Sequence, residues 1–144
     1  MAQMFLPSSA GTKTLNFQTW RGADLRRFPL WAQSPKMPYE ENSFDVVTCV
    51  VSVDYLNKPL EVFKEVARVL RPGGKFIISQ SNRCFPTKAI AIWLQTNDLE
   101  HTFIIGSYFH YSGAFKPAFA KDISPKGGLF PSDPMYIIQG EVNK

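Results

Sequence analysis

The sequence predicts an α/β fold in which a parallel βαβ core is followed by an antiparallel hairpin. Three observations predict it. Val46, Val47, Val50, Val51 and Val53 put apolar groups on both faces of one short run, as in a central strand covered on both sides. Leu60, Val62, Phe63, Val66, Ala67, Val69 and Leu70 then recur at three and four, the period of an amphipathic helix. Lys75-Phe76-Ile77-Ile78-Ser79 follows as a second short buried strand. Strand, helix and strand in that order make a right-handed crossover between parallel neighbours.

Each element has its local signals. Pro38-Tyr39-Glu40-Glu41-Asn42-Ser43 is turn chemistry ahead of a strand spanning 44–53. Asp54-Tyr55-Leu56-Asn57 leads into a helix opening at Pro59, where the missing N–H costs nothing. Glu61 in the first turn and Arg68 and Arg71 in the last suit the macrodipole. Pro72-Gly73-Gly74 stops that helix, the glycines supplying a left-handed cap. A helix is expected from Pro86 or Thr87 to about Thr96, with Ile90, Trp93 and Leu94 inward. Another spans Asp98 to Tyr111, with Asp98 as N-cap. Two strands close the chain, one through Phe115, Pro117, Phe119 and Ile123, the other around Met135-Tyr136-Ile137-Ile138. Ser124–Pro134 forms the loose connection between them.

Length and composition exclude several classes. The 144 residues allow one domain. Hydrophobic residues at 44% and charged residues at 19% exclude a disordered chain, and no apolar run approaches the ~20 residues of a membrane span. Cys49 and Cys84 have no metal-type spacing and read as buried thiols of a reducing compartment, hence a soluble intracellular protein. His101 and His110, nine apart, lie on opposite sides of a helix and cannot share a metal, so no metal site is expected. Tyr108, Phe109, Tyr111 and Phe115 form an aromatic cluster that reads as core, with a cation–π box as the other reading.

The charge is uneven. Lys13, Arg21, Arg26, Arg27 and Lys36 face Asp24 alone, so the first 39 residues carry the whole net charge of +4. Residues 1–35 also lack periodicity and form an irregular segment without stable packing. They read as an organellar (chloroplast) import peptide, an irregular leader or a stretch whose proper sequence was lost. Five scattered cations make no nucleic-acid arm, and no nucleic-acid partner is expected.

The run from Met37 to Val47, with Ser43-Phe44-Asp45 at its centre, and Glu65-Val66-Ala67-Arg68-Val69-Leu70-Arg71-Pro72-Gly73-Gly74 carry a family resemblance. They resemble class I S-adenosylmethionine-dependent methyltransferases of the type-11, ubiquinone-biosynthesis-like branch. Cys49 to Leu56 and Ser81 to Ala89 are similar to plant and algal members. The resemblance covers residues 36–144 and implies a partial Rossmann-like methyltransferase fold from the fourth strand onward. It also implies a small-molecule substrate and S-adenosylmethionine as cofactor.

Val50, Val51 and Ser52 correspond to family positions that approach the methionine part of the cofactor, and Asp54 and Tyr55 to positions facing substrate. Ligands of open α/β sheets bind outside the carboxyl ends of the strands, which gives the same placement. Asp54 is the candidate general base, whereas Asp45, at the amino end of its strand, reads as a turn or salt-bridge residue.

The family's Gly-rich turn after the first strand, which lets backbone approach the cofactor, has no counterpart. Gly11 and Gly22 follow no apolar run, and Asp24-Leu25 lies too far before Met37 to take the family's adenine-contacting role. The boundary near Lys36 therefore reads as a gene-model or exon junction, with the chain as the back half of a methyltransferase. An inactive fragment acting as an interaction module is the alternative. Without inner strands, the edge at 44–53 would be long and apolar, and a dimer or partner chain is expected there.

Overall fold

The computed structural model describes residues 11–16, 36–126 and 132–144. Five strands form one sheet: β1 (Thr14–Asn16), β2 (Phe44–Val50), β3 (Leu70–Ser81), β4 (Phe119–Asp122) and β5 (Met135–Glu141). Their spatial order is β1-β2-β3-β5-β4. β1 and β3 flank β2 in parallel, and β5 pairs antiparallel with both β3 and β4. The parallel crossover and the closing hairpin are those the sequence predicts.

The crossover helix, α1 (Pro59–Val69), has Pro59 at its start and buries Val62, Phe63, Val66, Ala67 and Val69. Leu60 lies outside that stripe and is exposed. A short helix, α2 (Ala91–Leu94), and a long one, α3 (Asp98–Ser112), follow β3. Aromatic edges lock α1 and α3 onto the sheet: Phe63 meets Phe76 at 5.1 Å and Phe109 at 4.9 Å, both edge-on. Such pairs add about 0.5–1.5 kcal/mol each beyond burial. Phe109 lies so close to β5 that a Cβ on Gly140 would stand 2.5 Å from its ring. Only glycine fits there.

The Glu-x-x-Arg motif is a clamp. Glu65 accepts from Arg68 Nε at 2.9 Å, from Arg68 Nη2 at 2.7 Å and from the Met37 amide at 2.7 Å. Arg68 Nη2 also donates to the Tyr39 carbonyl at 2.8 Å. The helix thus pins the turn that feeds β2. Asp45 ties the other side, accepting from Lys13 N and Arg71 Nη1, both at 2.8 Å. Those two partners hold its carboxyl below the ordinary value, consistent with an anchoring residue.

Several expectations need correction. Thr14–Asn16 is a strand lying along Val46–Thr48, so the irregular segment foreseen for residues 1–35 contains β1. The edge expected to be free along 44–53 is therefore paired over those three residues. Most of residues 1–35, with Gly22, Asp24 and Leu25, lie outside the described residues. Helix α1 ends at Val69 with Leu70 already extended, so the glycines do not cap it. Instead the β2–β3 register jumps from Phe44↔Leu70 to Val46↔Lys75, and Arg71–Gly74 absorb the irregularity, with Gly73 at φ 72°.

The helix foreseen from Pro86 is the single turn α2, because Ile90 is extended and gives its amide to the Asp54 carbonyl at 2.9 Å. Trp93 is buried as expected, but Leu94 is exposed. The N-cap of α3 is Asn97, not Asp98. Its side chain accepts from Leu99 and Glu100 amides while Glu100 accepts from the Asn97 amide, a capping box. Phe115 makes only an isolated bridge to Val142, outside β4.

Candidate functional site

The carboxyl end of β2 is the most unusual backbone in the described residues. Val51, just past the strand, has φ +43°, a region that β-branched residues rarely enter. Such a conformation costs about 1–3 kcal/mol and persists only where the surroundings impose it. Here the Val51 amide donates to the Ser79 carbonyl of β3 at 3.0 Å, and Ser52 Oγ donates to the Val50 carbonyl at 2.8 Å. The strand end is twisted into a short 3-10 turn, Val53–Tyr55.

That turn buries Asp54, which is 3% exposed. Its Oδ2 has no hydrogen-bond partner among the described residues. Burial pushes the Asp54 carboxyl up, against its own amide and the Tyr55 hydroxyl, which favour the anion. Tyr55 is tied in turn, its hydroxyl accepting from the Phe85 amide at 3.0 Å. With the Ile90–Asp54 bond, this fastens the segment after β3 across the carboxyl ends of β2 and β3. Val50, Val51, Ser52, Asp54 and Tyr55 thus lie at and just past the carboxyl end of β2.

Three neighbours were not legible. Ser79 Oγ and Gln80 Oε1 are also buried without partners among the described residues, so unpaired polar atoms gather where β2 and β3 end. Gln80 is fully buried on β3 and its Nε2 meets His101 Nδ1 at 3.2 Å. His101 stacks on Trp93 at 3.9 Å, nearly parallel, and its Nε2 lies 2.9 Å from the Trp93 carbonyl. A carbonyl can only accept, so Nε2 carries the proton and Nδ1 accepts from Gln80. Their sequence signal was Ser79-Gln80-Ser81, a polar run ending an apolar strand.

Other candidates separate. Cys49 is buried, and burial together with the Asp54 charge pushes its thiol up to about 12. Cys84 is half-buried, not fully so, and burial raises its thiol too, so neither is an activated nucleophile. The aromatic cluster does not hold together as a box. Phe109 and Phe115 are core, Tyr108 packs edge-on to Phe63, and Tyr111 is exposed. Among the described residues no group of three His, Cys, Asp or Glu side chains could hold a metal ion. Nor is any described helix long and apolar enough to cross a membrane.

The family model for a methyltransferase domain (Methyltransf_11) matches residues 19–78, which include β2, α1, most of β3 and the strand end just described. Over that stretch the chain is similar to class I S-adenosylmethionine-dependent methyltransferases. The match begins ahead of Lys36, so the likeness reaches further back than the motifs suggest. The ubiquinone biosynthesis O-methyltransferase of Xanthomonas oryzae pv. oryzae is 32% identical over 79 residues, 55% of this chain and 32% of that protein. The sterol 4-C-methyltransferase strm-1 of Caenorhabditis elegans is 47% identical over 47 residues, 33% of this chain and 14% of that protein. The chain thus spans no more than a third of the length of these curated relatives.

Among solved structures, a SAM-dependent methyltransferase from Aquifex aeolicus matches with TM-score 0.53 and 14% identity, over 75% of this chain and 50% of that one. At that identity the likeness concerns the fold, a partial Rossmann-like methyltransferase core. S-adenosylmethionine is the cofactor expected of the family.

Proposed function

We propose that this chain carries the methionine- and substrate-facing half of an S-adenosylmethionine-dependent methyltransferase site for a small molecule, and that alone it grips the cofactor weakly. The observation that carries the proposal is Asp54, buried with an unpartnered Oδ2 beside the strained Val51. A buried carboxylate oxygen without a donor is costly, and a ligand hydroxyl, amine or ammonium would satisfy it. Val50, Val51 and Ser52 form the wall for the methionine part of the cofactor. Asp54 and Tyr55 face the methyl acceptor. The group supplies an electrophilic methyl on a sulfonium; the chain's part is to align an acceptor and take its proton. Asp54 suits that second task because burial raises its basicity.

Weak grip follows from what the sequence lacks. The sequence has no glycine-rich turn after an apolar run, and its pattern offers no carboxylate at the end of a second strand for the ribose. Two lost charge-assisted hydrogen bonds at about 1.5–3 kcal/mol each weaken a micromolar ligand by two to four orders of magnitude. Calorimetric titration with S-adenosylhomocysteine is expected to give a dissociation constant of about 0.1–10 mM. Micromolar affinity would overturn the weak grip, and no heat at about 10 mM would overturn the site. The sheet-edge interaction module lacks a supporting observation, since β1 occupies part of the edge that motivated it.

A further inference from the structure

The outer face of α3, where a helix packed on one side is ordinarily polar, carries large exposed apolar side chains among small and polar ones. Leu99 and Phe103 are 78% and 77% exposed. Beside them lies a cleft of about 400 Å³ lined by Thr102, Phe103, Gly106, Ser107, His110 and Tyr111. Gly106 sits mid-helix, where glycine weakens a helix relative to alanine. Nothing inside the described chain requires it. A Cβ built there meets no atom within 4 Å, and its φ is not positive. A body approaching from outside would explain the missing side chain.

We propose that this face is the seam of a twofold dimer of the chain, in which two α3 helices pack antiparallel and Phe103 of each copy seats over Gly106 of the other. The spacing fits its own reverse. About a twofold axis between residues 104 and 105, Phe103 opposes Gly106, Thr102 opposes Ser107 and Leu99 opposes His110. Each exposed large apolar side chain thus meets a small or polar position, the self-complementarity an isologous contact demands. Charge agrees as well: the first turn carries Asp98 and Glu100 and the last carries His110, so antiparallel packing sets acid beside base and opposes the two helix dipoles. A seam one helix long and about 22 Å in extent is smaller than a standard interface, so the dimer is weak, with a dissociation constant of tens of micromolar.

Sedimentation equilibrium of the full chain from about 5 to about 500 µM tests this. The mass is expected to rise from 16.3 kDa toward twice that value. Phe103→Ser and Gly106→Leu, both at surface positions, are each expected to weaken association at least tenfold with an unchanged circular dichroism spectrum. Gly106→Ala is expected to raise the melting temperature of the dilute monomer. In a Cys84→Ser background, mixed Phe103→Cys and Gly106→Cys proteins should form a disulfide faster than either alone. A monomer at every concentration, or a dimer indifferent to both substitutions, would overturn the proposal. So would a monomer that binds phosphatidylcholine vesicles through this face, which would assign it to lipid.

Discussion

Replacing Glu65 by alanine removes the acceptor at the centre of the clamp that joins α1 to the turn before β2. Three hydrogen bonds go: two from Arg68 and one from the Met37 amide. The Glu65 side chain is only 12% exposed, whereas Arg68 at 26% can regain water and keeps its bond to the Tyr39 carbonyl. The ion pair is therefore discounted to about 1 kcal/mol. The larger cost is the Met37 amide, buried and left without an acceptor, at about 1–3 kcal/mol. The sum is about 3 kcal/mol, or about 9 °C in melting temperature for a domain of this size.

The pH dependence has a definite sign. Burial works against the charged Glu65, but Arg68 and the Met37 amide outweigh it and hold the carboxyl below its ordinary 4.5. A lowered acid contributes stability above its ordinary value and loses it as pH falls through the folded value. Thermal melts of wild type and Glu65→Ala should therefore differ most at neutral pH and converge as pH drops below about 4. Glu65→Gln, which can still accept from Met37, should lose about half as much. A loss under about 1 kcal/mol at pH 7, or a gap that stays constant into acid, would refute the clamp.

Asp54→Asn should raise the melting temperature at pH 8 and leave it unchanged near pH 3.5. The raised carboxyl of Asp54 favours the fold while neutral and costs stability as pH rises through its folded value. Melts at the two pH values check this. Tyr55→Phe removes the acceptor for the Phe85 amide, so amide exchange at Phe85 should quicken, with about 1 kcal/mol lost on denaturant titration. Gly140→Ala drives a methyl against the Phe109 ring and should cost about 1–3 kcal/mol, seen as a lower urea midpoint with unchanged slope.

What was legible in the sequence is what short-range pattern controls. Five valines in eight residues mark β2 because a parallel strand is apolar on both faces, and the period of Val62, Phe63, Val66 and Val69 marks α1. The place of the proposed site, Val50–Tyr55, was legible for the same reason: it is the end of a strand that the pattern reveals. What failed depended on contacts made far along the chain. Ile90 gives its amide to Asp54, which ends the helix foreseen from Pro86 before it starts. Thr14–Asn16 is too short to show a period and becomes a strand only by pairing with β2. Gln80, Ser79 and His101 come beside that strand end through the β2–β3 register and the packing of α3, neither of which is written in local spacing.

The central claim is that the carboxyl ends of β2 and β3 form half of a methyltransferase ligand site. Amide chemical-shift mapping of the isotope-labelled chain during titration with S-adenosylhomocysteine tests it most directly. Saturable shifts at Val50–Tyr55 and Ser79–Ser81, with an affinity of about 0.1–10 mM and loss of the Asp54 and Tyr55 shifts on addition of a competing nucleoside, are the predicted result. Shifts confined to other parts of the sheet, or none across that concentration range, would contradict it.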